Sequence, residues 1–298
     1  MSFRTISIEK ATRINLDLNN IAIYFDKDYY YINLDEIDSI ILEDPRCHVS
    51  LKLLSALCEK GINVIFTDDS HMPVGCLTTL TNHARATKKL KQQIEWSEDA
   101  MSYLWTEVVK QKIKSQIEVL KNINKITKIK IMEQYITEIK QQDSSNREGL
   151  ASRIYFKEVF GNDFKRFNED IINFMLNYSY QIIRSKISQE IIALGYNPSL
   201  GINHKSEYNY FNLADDFIEI FRPIVDYYVF KIVNNTDSNY LTPDIKEALC
   251  NIINQKTLYK NQEYKIHTVI QYYLQDMFSF LETGDISKIK FPELICII

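Results

Sequence analysis

The chain has 298 residues, 45% hydrophobic and 25% charged, which excludes disorder and low-complexity function and gives about two domains. Only 7 Gly and 6 Pro occur, and no G-x-G-x-x-G or G-x-x-x-x-G-K-[ST] stretch is present, so nucleotide-cofactor and P-loop chemistry are set aside. The net charge of −4 by itself argues against a dedicated nucleic-acid binder. Between 81 and 140, however, 12 Lys and Arg face 7 Asp and Glu, which permits one basic face on an acidic molecule.

The N-terminus, Met-Ser-Phe-Arg-Thr-Ile, lacks the apolar core of a secretory signal, and no apolar run approaches the ~18–20 residues that span a bilayer. The five cysteines form no C-x-x-C pair and most sit among apolar neighbours. Free thiols in a reducing compartment, hence a cytoplasmic protein without membrane association, are expected.

The first 75 residues read as β-rich. Arg4–Glu9, Arg13–Leu18, Ile21–Phe25, Tyr29–Leu34, Asp38–Glu43 and Ile62–Phe66 are short runs of β-branched and aromatic residues separated by polar punctuation. Between the last two, Val49–Lys60 carries helical spacing and stops at Gly61. From about Leu80 the period is helical. Trp96, Ala100, Tyr103, Leu104 and Val108 form an apolar stripe that Ile113, Ile117, Leu120 and Ile123–Ile126 continue. Further helical patterns cover Arg147–Phe160, Phe167–Leu194, Asn212–Asn234, Asp244–Asn254 and His267–Glu282. The expected fold is α+β, an N-terminal β-sandwich-like domain (1–76) followed by a larger all-α domain (77–298).

Three segments carry candidate chemistry. His204 lies in a loop where Gly195, Pro198 and Gly201 cluster in a chain that hardly uses either residue, and shaped loops on rigid scaffolds carry function. Asn212 is the natural cap of the next helix, with Asp215 completing a variant capping box. Asp216, Glu219 and Arg222 recur at three-residue spacing along that helix, and Pro223 should bend it. Asp216 and Glu219 fit either first-turn acids that complement the macrodipole or ligands, and Arg222 fits an i,i+4 pair with Asp226. Asn146 is the natural cap of a third segment. It places Glu148 in the first turn beside Gly149, a costly residue there unless something approaches the backbone closely. One His and carboxylates from separate segments make a mixed N/O donor set, which suits Mg²⁺ or Mn²⁺ with open positions for phosphate oxygens.

These segments resemble the CRISPR-associated adaptation endonuclease/integrase family, the first numbered protein of that system, in its type II branch. The resemblance rests on Asn146-Arg-Glu-Gly-Leu-Ala-Ser-Arg-Ile-Tyr-Phe156, on Gly201-Ile-Asn-His204, and on Phe211-Asn-Leu-Ala-Asp-Asp-Phe-Ile-Glu-Ile-Phe-Arg-Pro-Ile-Val-Asp226, in register. Leu34–Glu43, Gly61–Phe66, Pro73–Gly75 and the Ile94–Lys114 stretch support it.

The resemblance implies a metal-dependent integrase that inserts short foreign DNA into a CRISPR array, the 3′-hydroxyl of the incoming DNA attacking a phosphodiester. With water as nucleophile the same site is an endonuclease. Its catalytic and metal ligands fall on Glu148, His204 and Glu219, with Asp216 at an additional acidic position. A neutral His204 would be oriented by an unidentified second group. Arg147, Arg153 and Arg222 are candidate phosphate contacts, and so, from the basic stretch, are Lys110, Lys112, Lys114, Lys121, Lys125 and Lys128; a solvated helix face explains those lysines equally well. A homodimer joined through the N-terminal domain is expected. So are complexes with DNA, with a small second CRISPR adaptation protein and, in this branch, with the effector nuclease and an accessory DNA-end-binding protein. The alternative is a DNA-binding scaffold subunit with a vestigial metal site. If Glu219 faces water, Glu219→Gln should leave stability almost unchanged.

Overall fold

The computed structural model describes residues 4–69, 72–77, 79, 83–236 and 238–294. His71 and Cys296 lie outside them. Two compact units divide the chain, Met1–Ala84 and Arg85–Ile298.

In the first unit, β1 (Arg4–Ile8), β5 (Ile37–Leu42) and β7 (Asn63–Thr67) run parallel, and β8 (Pro73–Leu77) closes that sheet antiparallel to β7. A second sheet has the order β4 (Tyr29–Asn33), β3 (Asn20–Tyr24), β2 (Arg13–Asp17), β6 (His48–Val49). Alternation along β2 and β3 puts Ile14, Ile21 and Ile23 into one core, which Ile37 and Ile40 of β5 share with Leu53 and Leu57 of α1 (Leu51–Glu59). Ser50 starts α1 by accepting from the Leu53 N–H. β8 continues past the expected domain cut, because Leu77 still pairs with Val64. β4 is an edge strand, and Tyr29, Tyr30 and Tyr31 on it are exposed.

Among its described residues the second unit is helical except for one hairpin. Its axis is α3 (Glu98–Asn122), capped by Ser97, whose hydroxyl accepts from the Ala100 N–H at 3.1 Å. α2 (Ala86–Ile94) precedes it and α4 (Ile129–Glu138) follows. α5 (Arg147–Phe160) and α8 (Arg222–Val233) pack on α3, while α6 (Ile171–Ala193) packs against α7 (Asn212–Ile218) and α8. α9 (Pro243–Cys250) and α10 (Ile266–Thr283) complete it. The hairpin, β9 (Lys256–Tyr259) and β10 (Gln262–Lys265), turns on Lys260 and Asn261, both at positive φ. It modifies the all-α expectation.

The expected continuous helix over 212–234 is broken rather than bent. Pro223 stands in the first turn of α8, and residues 219–221 form a tight turn closed by the Phe221 N–H on the Ile218 carbonyl, 2.8 Å. No helix among the described residues is long and apolar enough to cross a membrane.

Candidate functional site

Two of the expected caps are made differently. Asn146 takes a left-handed conformation at the N-cap of α5 and makes no capping bond. Asp143 caps instead, its two oxygens accepting from the Arg147 and Glu148 N–H groups at 2.8 and 2.9 Å. Asn146 folds over Gly149, where a Cβ would stand 2.7 Å from its Oδ1; this is the close approach that the glycine signalled. Asn212 lies just inside α7 and donates to the Ser199 and Ser206 carbonyls, tying down the His204 loop. Asp215 pairs with Arg184 rather than closing a capping box.

Asp216 is the organiser of that loop. It has no exposed surface, and its carboxylate accepts from the backbone N–H groups of Ile202, Asn203 and His204 at 2.6, 3.1 and 3.0 Å. The same carboxylate contacts His204 Nδ1 at 2.7 Å. Because the carboxylate is an acceptor, Nδ1 carries the proton and the Nε2 lone pair is left for a ligand. Asp216 therefore supplies the orienting group that the sequence reading left unidentified. Gly201 is required here: a Cβ would collide with the His204 carbonyl and stand 2.7 Å from Asp216 Oδ2. Burial pushes the Asp216 carboxyl up against the pull of His204 and the N–H groups, and the bond to Asp216 raises His204 against its own burial.

Glu148, in the first turn of α5, and Glu219, in the turn between α7 and α8, meet on one cation, the Lys112 ammonium of α3. Lys112 Nζ donates to Glu148 Oε1 and, at 2.5 Å, to Glu219 Oε2. Ser152, one turn on from Glu148, donates to the same Glu148 oxygen at 2.9 Å. Arg222 Nε donates to Glu219 Oε1 at 2.8 Å, so its partner is Glu219 and not Asp226. Burial alone would raise the Glu219 carboxyl; Arg222 and then Lys112 outweigh it and bring it down to about 2. Burial lowers Lys112 less than the two glutamates raise it. Asp226 accepts from the Tyr180 hydroxyl, and burial pushes it up to about 6.

These groups open onto two clefts. One, of about 540 Å³, is lined by Lys112, Glu148, Glu219, Arg222 and Arg166. The other, of about 270 Å³, is lined by His204, Arg184, Arg166 and Arg222. Arg166 and Arg222 border both. Among the described residues no three His, Cys, Asp or Glu side chains stand close enough together to hold an ion as they are. The two glutamates nevertheless already share a cation, and their hard oxygens suit Mg²⁺ or Mn²⁺.

Lys112 does not stand on an exposed lysine face; it is 7% exposed. Lys114, Lys121, Lys125 and Lys128 are exposed, with Lys121 paired to Glu118, and Lys110 is half-buried against Glu107. Arg153 is exposed, and Arg147 is paired with Glu138 at 2.9 Å. The sequence reading missed Lys112 as a member of the carboxylate site, together with Ser152 and Arg166. A charged residue at i+4 from Val108 and i−4 from Gln116, on the buried stripe of α3, was the signal for Lys112.

The family model described as CRISPR associated protein Cas1 matches residues 6–247. The CRISPR-associated endonuclease Cas1 of Neisseria meningitidis serogroup C (strain 8013) is 29% identical over 296 residues, covering 99% of this chain and 97% of its own. Among solved structures, a casposase bound to integration product has a TM-score of 0.74 at 19% identity, covering 96% of this chain and 92% of that one. A chain of a Cas6-RT-Cas1–Cas2 complex also has a TM-score of 0.74, at 18% identity, with 99% of this chain aligned to 36% of it. At those identities the structural likeness speaks for the fold. The family match extends over most of the chain, and this protein belongs to the CRISPR-associated Cas1 endonuclease family.

Proposed function

We propose that this chain is a metal-dependent DNA integrase and endonuclease of CRISPR adaptation, of the type II branch, which joins the 3′-hydroxyl of short DNA to a phosphodiester of the array. The observation that carries this reading is the convergence of Glu148 and Glu219 on one cation in a cleft bordered by Arg222, with His204 on the adjoining cleft. The name of the Neisseria relative and the integration product in the casposase structure support it. Glu148, Glu219 and His204 Nε2 would hold Mg²⁺ or Mn²⁺. The ion would supply Lewis-acid polarisation of a phosphoryl oxygen and offset charge building in the transition state. Asp216 keeps the His204 proton on Nδ1, Ser152 fixes the Glu148 rotamer, and Arg222 and Arg153 offer contacts to phosphate. A DNA-binding scaffold without ion chemistry is the second reading, favoured by the fact that Lys112 already occupies the carboxylate junction.

Chelation separates the two. With EDTA, joining of a labelled duplex should stop and recover on adding Mn²⁺, while DNA binding persists. In the same binding assay, reversing Lys114, Lys121, Lys125 and Lys128 together should weaken affinity for every sequence and lower the salt slope by about one per true phosphate contact. Joining that ignores EDTA would exclude the metal-dependent reading.

We further propose that DNA and a small second adaptation protein are partners, a reading supported by the casposase bound to integration product and by the Cas6-RT-Cas1–Cas2 complex. A homodimer would pair through the β4 edge, where three exposed tyrosines line unpaired backbone groups. Light scattering at micromolar concentration should return about twice the 35.1 kDa chain mass. A monomer would count against the edge.

A further inference from the structure

The carboxylate junction is electrically full. Two glutamates face two cations, and both Glu219 oxygens are taken, Oε1 by Arg222 at 2.8 Å and Oε2 by Lys112 at 2.5 Å. Glu148 Oε1 holds Lys112 and Ser152 together. A divalent ion added to a quartet whose charges cancel gains little Coulomb energy unless one resident cation leaves.

The two residents differ in how they are held. Arg222 sits three residues from Glu219 on the same turn, and its guanidinium lies 4.6 Å from the Tyr180 ring centroid. Lys112 is a point charge on a flexible four-carbon stem from another helix, and it lines a cleft of about 540 Å³. Lys112 is the one free to go.

We propose that Lys112 is an internal counter-cation of the Glu148–Glu219 pair, which holds the two carboxylates at one point and must be displaced when a divalent ion binds, so that this lysine sets the ion affinity of the site. The proposal rests on the reading of Glu148 and Glu219 as ion ligands. It makes Lys112 a positioning residue. In the ion-free protein it prevents two carboxylates from repelling each other; in the ion-bound protein its withdrawn charge is the competitor.

The test is calorimetric titration of the full-length, EDTA-stripped protein with Mn²⁺, beside melting curves in EDTA and in saturating Mn²⁺. Lys112→Met should bind Mn²⁺ at least roughly tenfold more tightly, a modest share of what a like charge a few ångströms away is worth near a protein surface. It should melt below wild type in EDTA and lose most of that deficit in Mn²⁺. Lys112→Gln, which keeps donors for both carboxylates without the charge, should bind tightly too and guards against a folding defect in the Met variant. Lys112→Arg should restore wild-type affinity. A purely structural lysine would lower the melting point in both buffers and leave the affinity alone. Wild-type or weaker Mn²⁺ affinity in the folded Met and Gln variants overturns the proposal while the metal-site reading stands. Absence of Mn²⁺ binding by wild type itself would remove both.

Discussion

Glu219→Gln should reduce cation-dependent strand transfer by about 10²–10³, the usual cost of one lost electrostatic stabiliser, and it should also melt earlier than wild type. The second half reverses the expectation drawn from the sequence, in which a water-facing Glu219 could be neutralised at little cost. Glu219 is 9% exposed and is the shared partner of Lys112 and Arg222. A neutral amide leaves the buried Lys112 and the half-buried Arg222 facing one remaining glutamate, a loss on the order of 3 kcal/mol for a broken buried pair.

The pH dependence follows from the same pairing. The folded carboxyl is held at about 2 against an ordinary value of 4.5. A lowered acid stabilises the fold above its unfolded value, so the contribution is whole above about pH 4.5 and is lost as pH falls towards 2. That window is worth about 3 kcal/mol at 1.36 kcal/mol per unit. Melting curves at pH 7 and pH 3 should therefore show a gap between wild type and Glu219→Gln that narrows in acid. Near wild-type joining by the folded variant would reduce Glu219 to a helix-flank acid, and the ligand assignment would go with it.

Asp216→Ala should be the most damaging single substitution at the site. It leaves the buried N–H of Ile202 without its acceptor, at roughly 1–3 kcal/mol, takes the same acceptor from the half-buried N–H groups of Asn203 and His204 at a smaller cost, and frees the His204 ring. The melting temperature should fall steeply. In whatever fraction stays folded at low temperature, Mn²⁺ affinity should drop about 10–100-fold, the common cost of losing the group that orients a ligating histidine. Nitrogen NMR of His204 gives an independent check: the wild-type ring should carry its proton on Nδ1, and the variant should show a mixture of tautomers. An unchanged melting curve together with a fixed tautomer would mean that Asn212, not Asp216, holds the loop.

Elements with strong periodicity were legible in the sequence. β1 to β5, β7, α1 and α3 are marked by short β-branched and aromatic runs and by stripes of 3.6 period. β8 was not legible, because Pro73 and Gly75 read as punctuation until β7 offers a partner. The β9–β10 turn uses Lys260 and Asn261 at positive φ where a glycine would have announced it. Caps were legible as positions but not as residues: whether Asn146 or Asp143 bonds the first turn of α5 depends on how the preceding loop folds back.

At the site, the motifs located Glu148, His204, Asp216 and Glu219, since the residue types and short spacings that carry chemistry are local properties of the chain. The division of labour among them belongs to the tertiary structure. Asp216 and Glu219 are both acids on one short segment, yet one is enclosed by a loop starting fourteen residues upstream and the other by a lysine 107 residues away. Sequence by itself determined the family, the two-part architecture and the inventory of ligand-type groups, because hydrophobic periodicity and motif spacing act over a few turns of chain. Only the fold decided which acid orients the histidine and which shares a cation, because desolvation and charge pairing depend on distances in space that no local pattern encodes.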